Sequence, residues 1–174
     1  IAAEARTLVV ERVAALATDR AVAAVLVAGD VFDAQTVGDR VIRRLFAALS
    51  GFAGPWVMIP GNHDAALSES VWTRAQRLGA VPANVHLALT AGVISLQHCK
   101  AAVLCAPLTQ RHTYNDTTDA FDGRQTPDGW LRIGLAHGSV EGILPSEIDS
   151  ANPIASNRCQ TARLDYLALG DWHG

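Results

Sequence analysis

For its first eighty residues the chain alternates between two hydrophobic periods. Residues 2–20 carry Leu8, Val9, Val13 and Leu16 at helical spacing among many alanines, which predicts a helix. Residues 22–28 are apolar without a break and end at Gly29-Asp30, the pattern of a strand buried on both faces of a sheet. Helical spacing returns over 36–50 through Val37, Val41, Leu45, Phe46 and Leu49, with Gly51 placed as a C-cap. Trp56–Ile59 reads as a second buried strand, closed by Pro60-Gly61. Ser68 is placed to N-cap a helix that runs to about Leu78 and stops at Gly79.

The period then shortens. Residues 85–89, 92–96 and 101–105 are brief apolar runs between turn signals and predict consecutive strands, some of them antiparallel. Residues 107–129 hold Pro107, Gly123, Pro127, Gly129 and many Asp and Thr residues, and read as a long loop, a kind of segment that is often functional. Leu131–Ala136 is a further strand ending at His137-Gly138. Residues 141–163 look irregular with room for one short helix, and Tyr166–Leu169 is a last strand that ends in Gly170-Asp171-Trp172-His173. Internal repeats, low-complexity tracts and linkers are absent from the pattern.

Composition narrows the class. At 174 residues with 49% hydrophobic content, the chain has enough apolar surface for a core and is not of the disordered class. A net charge of −3 excludes binding of nucleic acid by bulk charge alone. No apolar run approaches the roughly 20 residues of a membrane-spanning helix, and no signal-peptide pattern is visible. Cys99, Cys105 and Cys159 lack metal or redox spacing and read as thiols in a reducing compartment.

Four apolar strands share one kind of ending: a small residue followed by a group able to bind metal. The endings are Gly29-Asp30, Gly61-Asn62-His63-Asp64, Ala136-His137-Gly138 and Gly170-Asp171-Trp172-His173. In open α/β sheets, ligands bind beyond the carboxyl ends of the strands, so strands lying side by side would gather these tips at one edge. Any one of them alone reads as an ordinary turn. Together they supply carboxylate, amide and imidazole groups, a mixture suited to first-row divalent cations.

In this order the motifs resemble those of the calcineurin-like metallophosphoesterases. Gly29-Asp30-Val31-Phe32-Asp33 and Gly61-Asn62-His63-Asp64 match two family motifs in full, and His137 matches the lone histidine. Gly170-Asp171-Trp172-His173 matches the last motif, with Asp171 where the family usually has histidine. The text around Asp30 and Asp171 is most similar to the bacterial DNA repair exonuclease branch, related to the nuclease subunit of double-strand-break repair complexes. The resemblance implies an α/β fold, a sandwich of mixed β-sheets flanked by helices, and a site with two divalent cations. Mn²⁺ is the leading candidate, with Fe, Zn and Mg as alternatives. It also implies a role for each matched residue. Asp30 would bridge the metals. Asn62, His137 and Asp171 would complete one of them, and His173 would bind the other. His63 would be the general acid, oriented by Asp64, with Asp33 behind the ligands. Asp171 in place of an imidazole would favour Mn²⁺ or Mg²⁺.

The family's first motif, Asp-x-His, does not occur upstream of Asp30, where the only acids are Glu4, Glu11 and Asp19. The expectation is a metallophosphoesterase domain over residues 1–174 that lacks its first strand and C-terminal part and is itself nearly inactive. A homologue that has lost the motif is the alternative. The leading function is metal-dependent phosphodiester hydrolysis of DNA in repair. The competing readings are a small-molecule or nucleotide phosphatase, and a non-catalytic scaffold. Arg111 and His112 in the long loop are candidate DNA contacts. His86 and His98 read as structural, and Trp56, Trp72 and Trp130 as packing residues. DNA, an ATPase subunit and a second copy of the chain are the implied partners, a membrane is not, and the bacterial cytoplasm is the implied compartment.

Overall fold

The computed structural model describes residues 2–143 and 151–171. Four layers stack in order. The outermost holds three helices: α1 (Ala2–Asp19), α2 (Asp39–Ala48) and α3 (Val71–Arg77). They cover a parallel sheet of β1 (Val25–Ala28), β2 (Trp56–Ile59) and β3 (Val85–Leu87), in that order. Face to face with it lies a mixed sheet ordered β4 (Gly92–Leu96), β5 (Ala101–Ala106), β6 (Leu131–His137) and β9 (Tyr166–Gly170), in which only the β4–β5 pair is antiparallel. Its far side is covered by a 3-10 helix at Thr117–Phe121, the short parallel pair β7 (Ser139–Val140) and β8 (Pro153–Ile154), and α4 (Arg158–Thr161). This is the sandwich of mixed sheets that the resemblance implies.

Side-chain alternation along the strands builds the core. On β2, Trp56 and Met58 pack under the helices with Phe46 and Trp72, while Val57 and Ile59 face the second sheet. On β5, Val103 and Cys105 face the first sheet and Leu104 and Ala106 the outer layer, so both faces are buried. Burial pushes the Cys105 thiol up to about 12, keeping it an inert thiol.

Several local expectations shift. Leu8, Val9, Val13 and Leu16 of α1 are exposed, and the helix packs through Ala14 and Ala17 instead. Small residues let it approach the turn at Gly51 closely, where an added Cβ would lie 3.0 Å from that of Ala14. β1 is an edge strand and only partly buried, and between it and α1 lies an apolar cavity of about 450 Å³ that reaches Asp30. Gly51 ends a 3-10 turn rather than capping α2. The cap of α3 is Ser70, not Ser68, because Ser70 and Thr73 satisfy each other's backbone amides in a capping box. Segment 107–129 contains the 3-10 helix and buries Thr118 and Phe121. Trp56 and Trp72 lie in the core, Trp130 is half-buried, and His86 and His98 are exposed, with His98 Nε2 2.8 Å from the Ala23 carbonyl.

Candidate metal centre

The four endings do come together, drawn from two sheets rather than one. Asp30 and Asn62 follow β1 and β2 of the first sheet, and His137 and Asp171 lie at the ends of β6 and β9 of the second. Nε2 of His137 is the common point. It lies 2.9 Å from Asn62 Oδ1, 3.5 Å from Asp30 Oδ2 and 3.7 Å from Asp171 Oδ1. The histidine is 1% exposed, and the two carboxylates are 14% and 20% exposed, so the cluster opens to solvent on the carboxylate side.

Close packing of the tips explains the glycines. Gly29 has φ +89, and a Cβ there would lie 2.5 Å from His137 Nδ1. A Cβ on Gly61 would overlap the Asp30 carboxylate and lie 2.7 Å from His137 Cε1. Asp30 itself adopts a left-handed conformation with φ +56, tolerable for Asp but favoured only when neighbours enforce it.

Asp64 is among those neighbours. It is fully buried, and its carboxylate accepts N–H bonds from Gly61 at 2.7 Å, Phe32 at 3.1 Å and Asp30 at 3.3 Å. Trp72 Nε1 donates to its carbonyl at 2.5 Å. Asp64 therefore fixes the backbone of both tips of the first sheet rather than orienting the ring of His63. That ring meets the Asp33 carbonyl through Nδ1, at 3.2 Å. A carbonyl only accepts, so Nδ1 carries hydrogen and Nε2 is the atom left to face a ligand. The Asp33 side chain instead pairs with Arg6 of α1, whose other amino nitrogen donates to the carbonyls of Asp30 and Val31 at 3.0 and 2.9 Å.

The donor set fits a cation. His137 Nδ1 donates to the Ala28 carbonyl at 2.7 Å, which fixes the tautomer and turns the Nε2 lone pair toward three oxygens. Such a group is favourable only around an electron-poor centre, a proton or a metal ion. Each carboxylate also has one oxygen held by the protein. Asp30 Oδ1 accepts from His63 N at 3.0 Å, and Asp171 Oδ2 from Ser139 Oγ at 2.5 Å. The remaining oxygen of each faces His137. Asn62 Oδ1 is an acceptor like the Nε2 lone pair it faces, so the two are not hydrogen-bonded to each other, and among the described residues no group of three His, Cys, Asp or Glu side chains is placed to hold a metal ion by itself.

His173 and Trp172 lie outside the described residues. Arg111 and His112 are exposed on the outer layer, where the Arg111 carbonyl accepts from Asn152, and no bond joins their side chains to the cluster among the described residues. Arg6 and Ser139 had no signal in the sequence: each acts through one hydrogen-bonding group that only the tertiary fold aims.

Compared with known proteins, residues 5–174 match the family model for calcineurin-like phosphoesterases. No curated protein matches the chain.

Proposed function

The chain belongs to the calcineurin-like phosphoesterase family, whose enzymes hydrolyse phosphoesters at a pair of divalent metals, and we propose that it is a phosphodiesterase of the DNA repair exonuclease branch acting on DNA. The observation that supports this most is the convergence of Asp30, Asn62 and Asp171 on the Nε2 face of His137. These four would hold one cation, and Asp30 and His173 would contribute to holding a second. When bound, the metals supply Lewis acidity toward the phosphoryl oxygens and an activated water.

The chain's own residues account for the rest. His63, exposed beside the cluster with its Nδ1 held by the Asp33 carbonyl, presents Nε2 to protonate the leaving alkoxide. Asp64 and Arg6 keep the two loops that carry Asp30 and His63 in register. Asp171 adds a negative charge where the family has a neutral ring, which weights the site toward Mn²⁺. With no Asp-x-His before Asp30, we expect this chain alone to hold one divalent cation well and to turn over slowly.

The choice of DNA rests on the similarity of the segments around Asp30 and Asp171 to that branch, whose ATPase partner and dimeric assembly are proposals here as well. Isothermal titration with Mn²⁺ tests the centre: one tight site is expected, abolished in Asp30→Ala and His137→Ala variants that keep their far-ultraviolet spectrum, and two tight sites would overturn the ligand count. Mn²⁺-dependent digestion of linear duplex DNA, compared with bis-p-nitrophenyl phosphate, tests the substrate. Hydrolysis of the small ester with DNA left intact would reject the nuclease assignment and keep the esterase one.

A further inference from the structure

We propose that the pocket between segment 123–130 and the turn after α4 binds a small phosphate-type dianion, at a site separate from the metal centre. The pocket has a volume of about 270 Å³. It lies at the start of β6, whereas His137 ends that strand. Arg132 and His137 are five residues apart, so about 17 Å of extended chain separates the two sites. Arg124, Arg132 and Arg163 line it, with Asp128 as the only acid. Three guanidinium groups against one carboxylate leave two positive charges, the complement of a phosphate monoester. None of the three arginines has an ion-pair partner among the described residues, although Arg158 close by in the chain binds three carboxylates.

Arg132 is built for recognition more than for surface charge. Its Nη1 donates to the Arg124 carbonyl and Thr126 Oγ1, both at 2.8 Å, and its Nη2 to the Ala162 carbonyl at 2.9 Å. These bonds fix the plane of the group and leave its charge uncompensated. Nε is buried and has no partner, one of only two such side-chain atoms among the described residues. Nε and one Nη2 hydrogen are the donors still unspent, and because Nε is closed to solvent an anion in the pocket draws on the charge of Arg132 and on the donors of Arg124 and Arg163. Thr126 adds a hydroxyl and Trp130 a half-buried ring beside them.

The test is titration of the metal-free chain, in EDTA, with inorganic phosphate, followed by backbone and arginine Nε–H NMR, with chloride as the ionic-strength control. Saturable shifts confined to residues 123–132 and 161–163, with a Kd below about 1 mM, are expected. Arg124→Gln and Arg163→Gln, both at exposed positions, should each weaken binding about tenfold or more while the spectrum elsewhere is unchanged. A nucleoside monophosphate arm distinguishes a nucleotide ligand, which would also shift the Trp130 indole, from free phosphate, which would not. No saturation, shifts centred on His63 and His137, or equal binding by the two variants would each overturn the proposal. None of these outcomes depends on the metal centre being functional.

Discussion

Replacing Asp64 with Ala, and separately with Asn, isolates the strut beneath the metal centre. The Ala variant leaves the N–H groups of Gly61, Phe32 and Asp30 without their acceptor. An unsatisfied buried donor costs about 1–3 kcal/mol. The three share one site and the variant also escapes the burial of a carboxyl, so a net loss of about 3 kcal/mol is expected. For a domain of this size that lowers Tm by about 6–12 °C. Asn keeps one carbonyl for Gly61 and Asp30 but turns an amide NH₂ toward Phe32 N–H, for a loss of about 1–2 kcal/mol. The pH dependence carries the sharper test. Burial holds the Asp64 carboxyl above its usual 3.8; the amides of Gly61, Phe32 and Asp30 pull it down, Asp30's charge pushes it up, and burial prevails. The folded state therefore keeps this proton to higher pH than the unfolded state does. The wild type's margin over Asp64→Asn is fully present below 3.8 and shrinks as pH rises through the raised folded value. Urea denaturation of both proteins at a series of pH values measures that margin. A margin that grows with pH would show that the amide bonds outweigh burial at this carboxyl, and an Ala variant within about 1 kcal/mol of wild type would show that the three amide bonds are not what holds the tips in place.

Ser139→Ala frees one oxygen of Asp171, and Mn²⁺ affinity by calorimetry should fall about 10–100-fold with little change in stability. Asp171→His should move metal preference from Mn²⁺ toward Zn²⁺, read by competition binding; an unchanged preference would show that the Asp171 carboxylate does not set it. Arg158→Met strips the partner from Asp116, Asp119 and Asp122; because Asp119 and Asp122 are largely exposed and only Asp116 is left in a poorly solvated place, it should cost about 1–3 kcal/mol, with amide exchange rising first over residues 113–122. Burial raises the Asp116 carboxyl, yet bonds from Thr118, Ala155 and Arg158 outweigh it and hold it below 3.8, so this clip's contribution is present above 3.8 and lost as pH falls through the lowered value. Arg6→Ala unties residues 30–33 from α1, and the His63 ring, followed by its ¹⁵N shifts, should lose its fixed Nδ1–H tautomer, whereas Arg6→Lys should restore part of it.

The strand endings were legible because their chemistry is local: three polar groups in Asn62-His63-Asp64 exceed what a turn requires, and the same small-then-ligand order recurs three more times. Their division between two sheets was not, since pairing such as β6 with β9 joins residues more than thirty apart and leaves no periodic trace. In α1 the periodic argument ranked positions by hydrophobicity, while the packing selected for size and placed Ala14 and Ala17 against the neighbouring turn. The order within segment 107–129 likewise depends on a partner about forty residues downstream, where Arg158 gathers Thr118 and three aspartates. Asp64 shows the same limit at the site itself. Its place in the motif suggested a partner for His63, and only the fold reveals that its oxygens are already spent on backbone amides.

Because the cluster straddles two sheets, its integrity and the packing of those sheets are one property. His137 donates on one side to the Ala28 carbonyl of β1 and on the other faces Asn62 Oδ1 after β2 at 2.9 Å, while its own strand is tied to β9 by Gly138 N–H to the Gly170 carbonyl at 2.9 Å. A cation held by Asp30, Asn62, His137 and Asp171 would therefore bind the folded sandwich and not the unfolded chain, and would stabilise it by RT ln(1 + [M]/Kd), about 2.7 kcal/mol at a hundredfold excess over Kd. The same linkage means that a substitution between the sheets, at Val57 or Leu135, neither of them a candidate ligand, lowers apparent metal affinity to the extent that it unfolds the sandwich. Loss of metal binding in a variant is evidence for a ligand only when its stability without metal is unchanged. Asp30→Asn, which tolerates the left-handed backbone and keeps an acceptor for the His63 N–H, can meet that condition, and Asp64→Ala cannot.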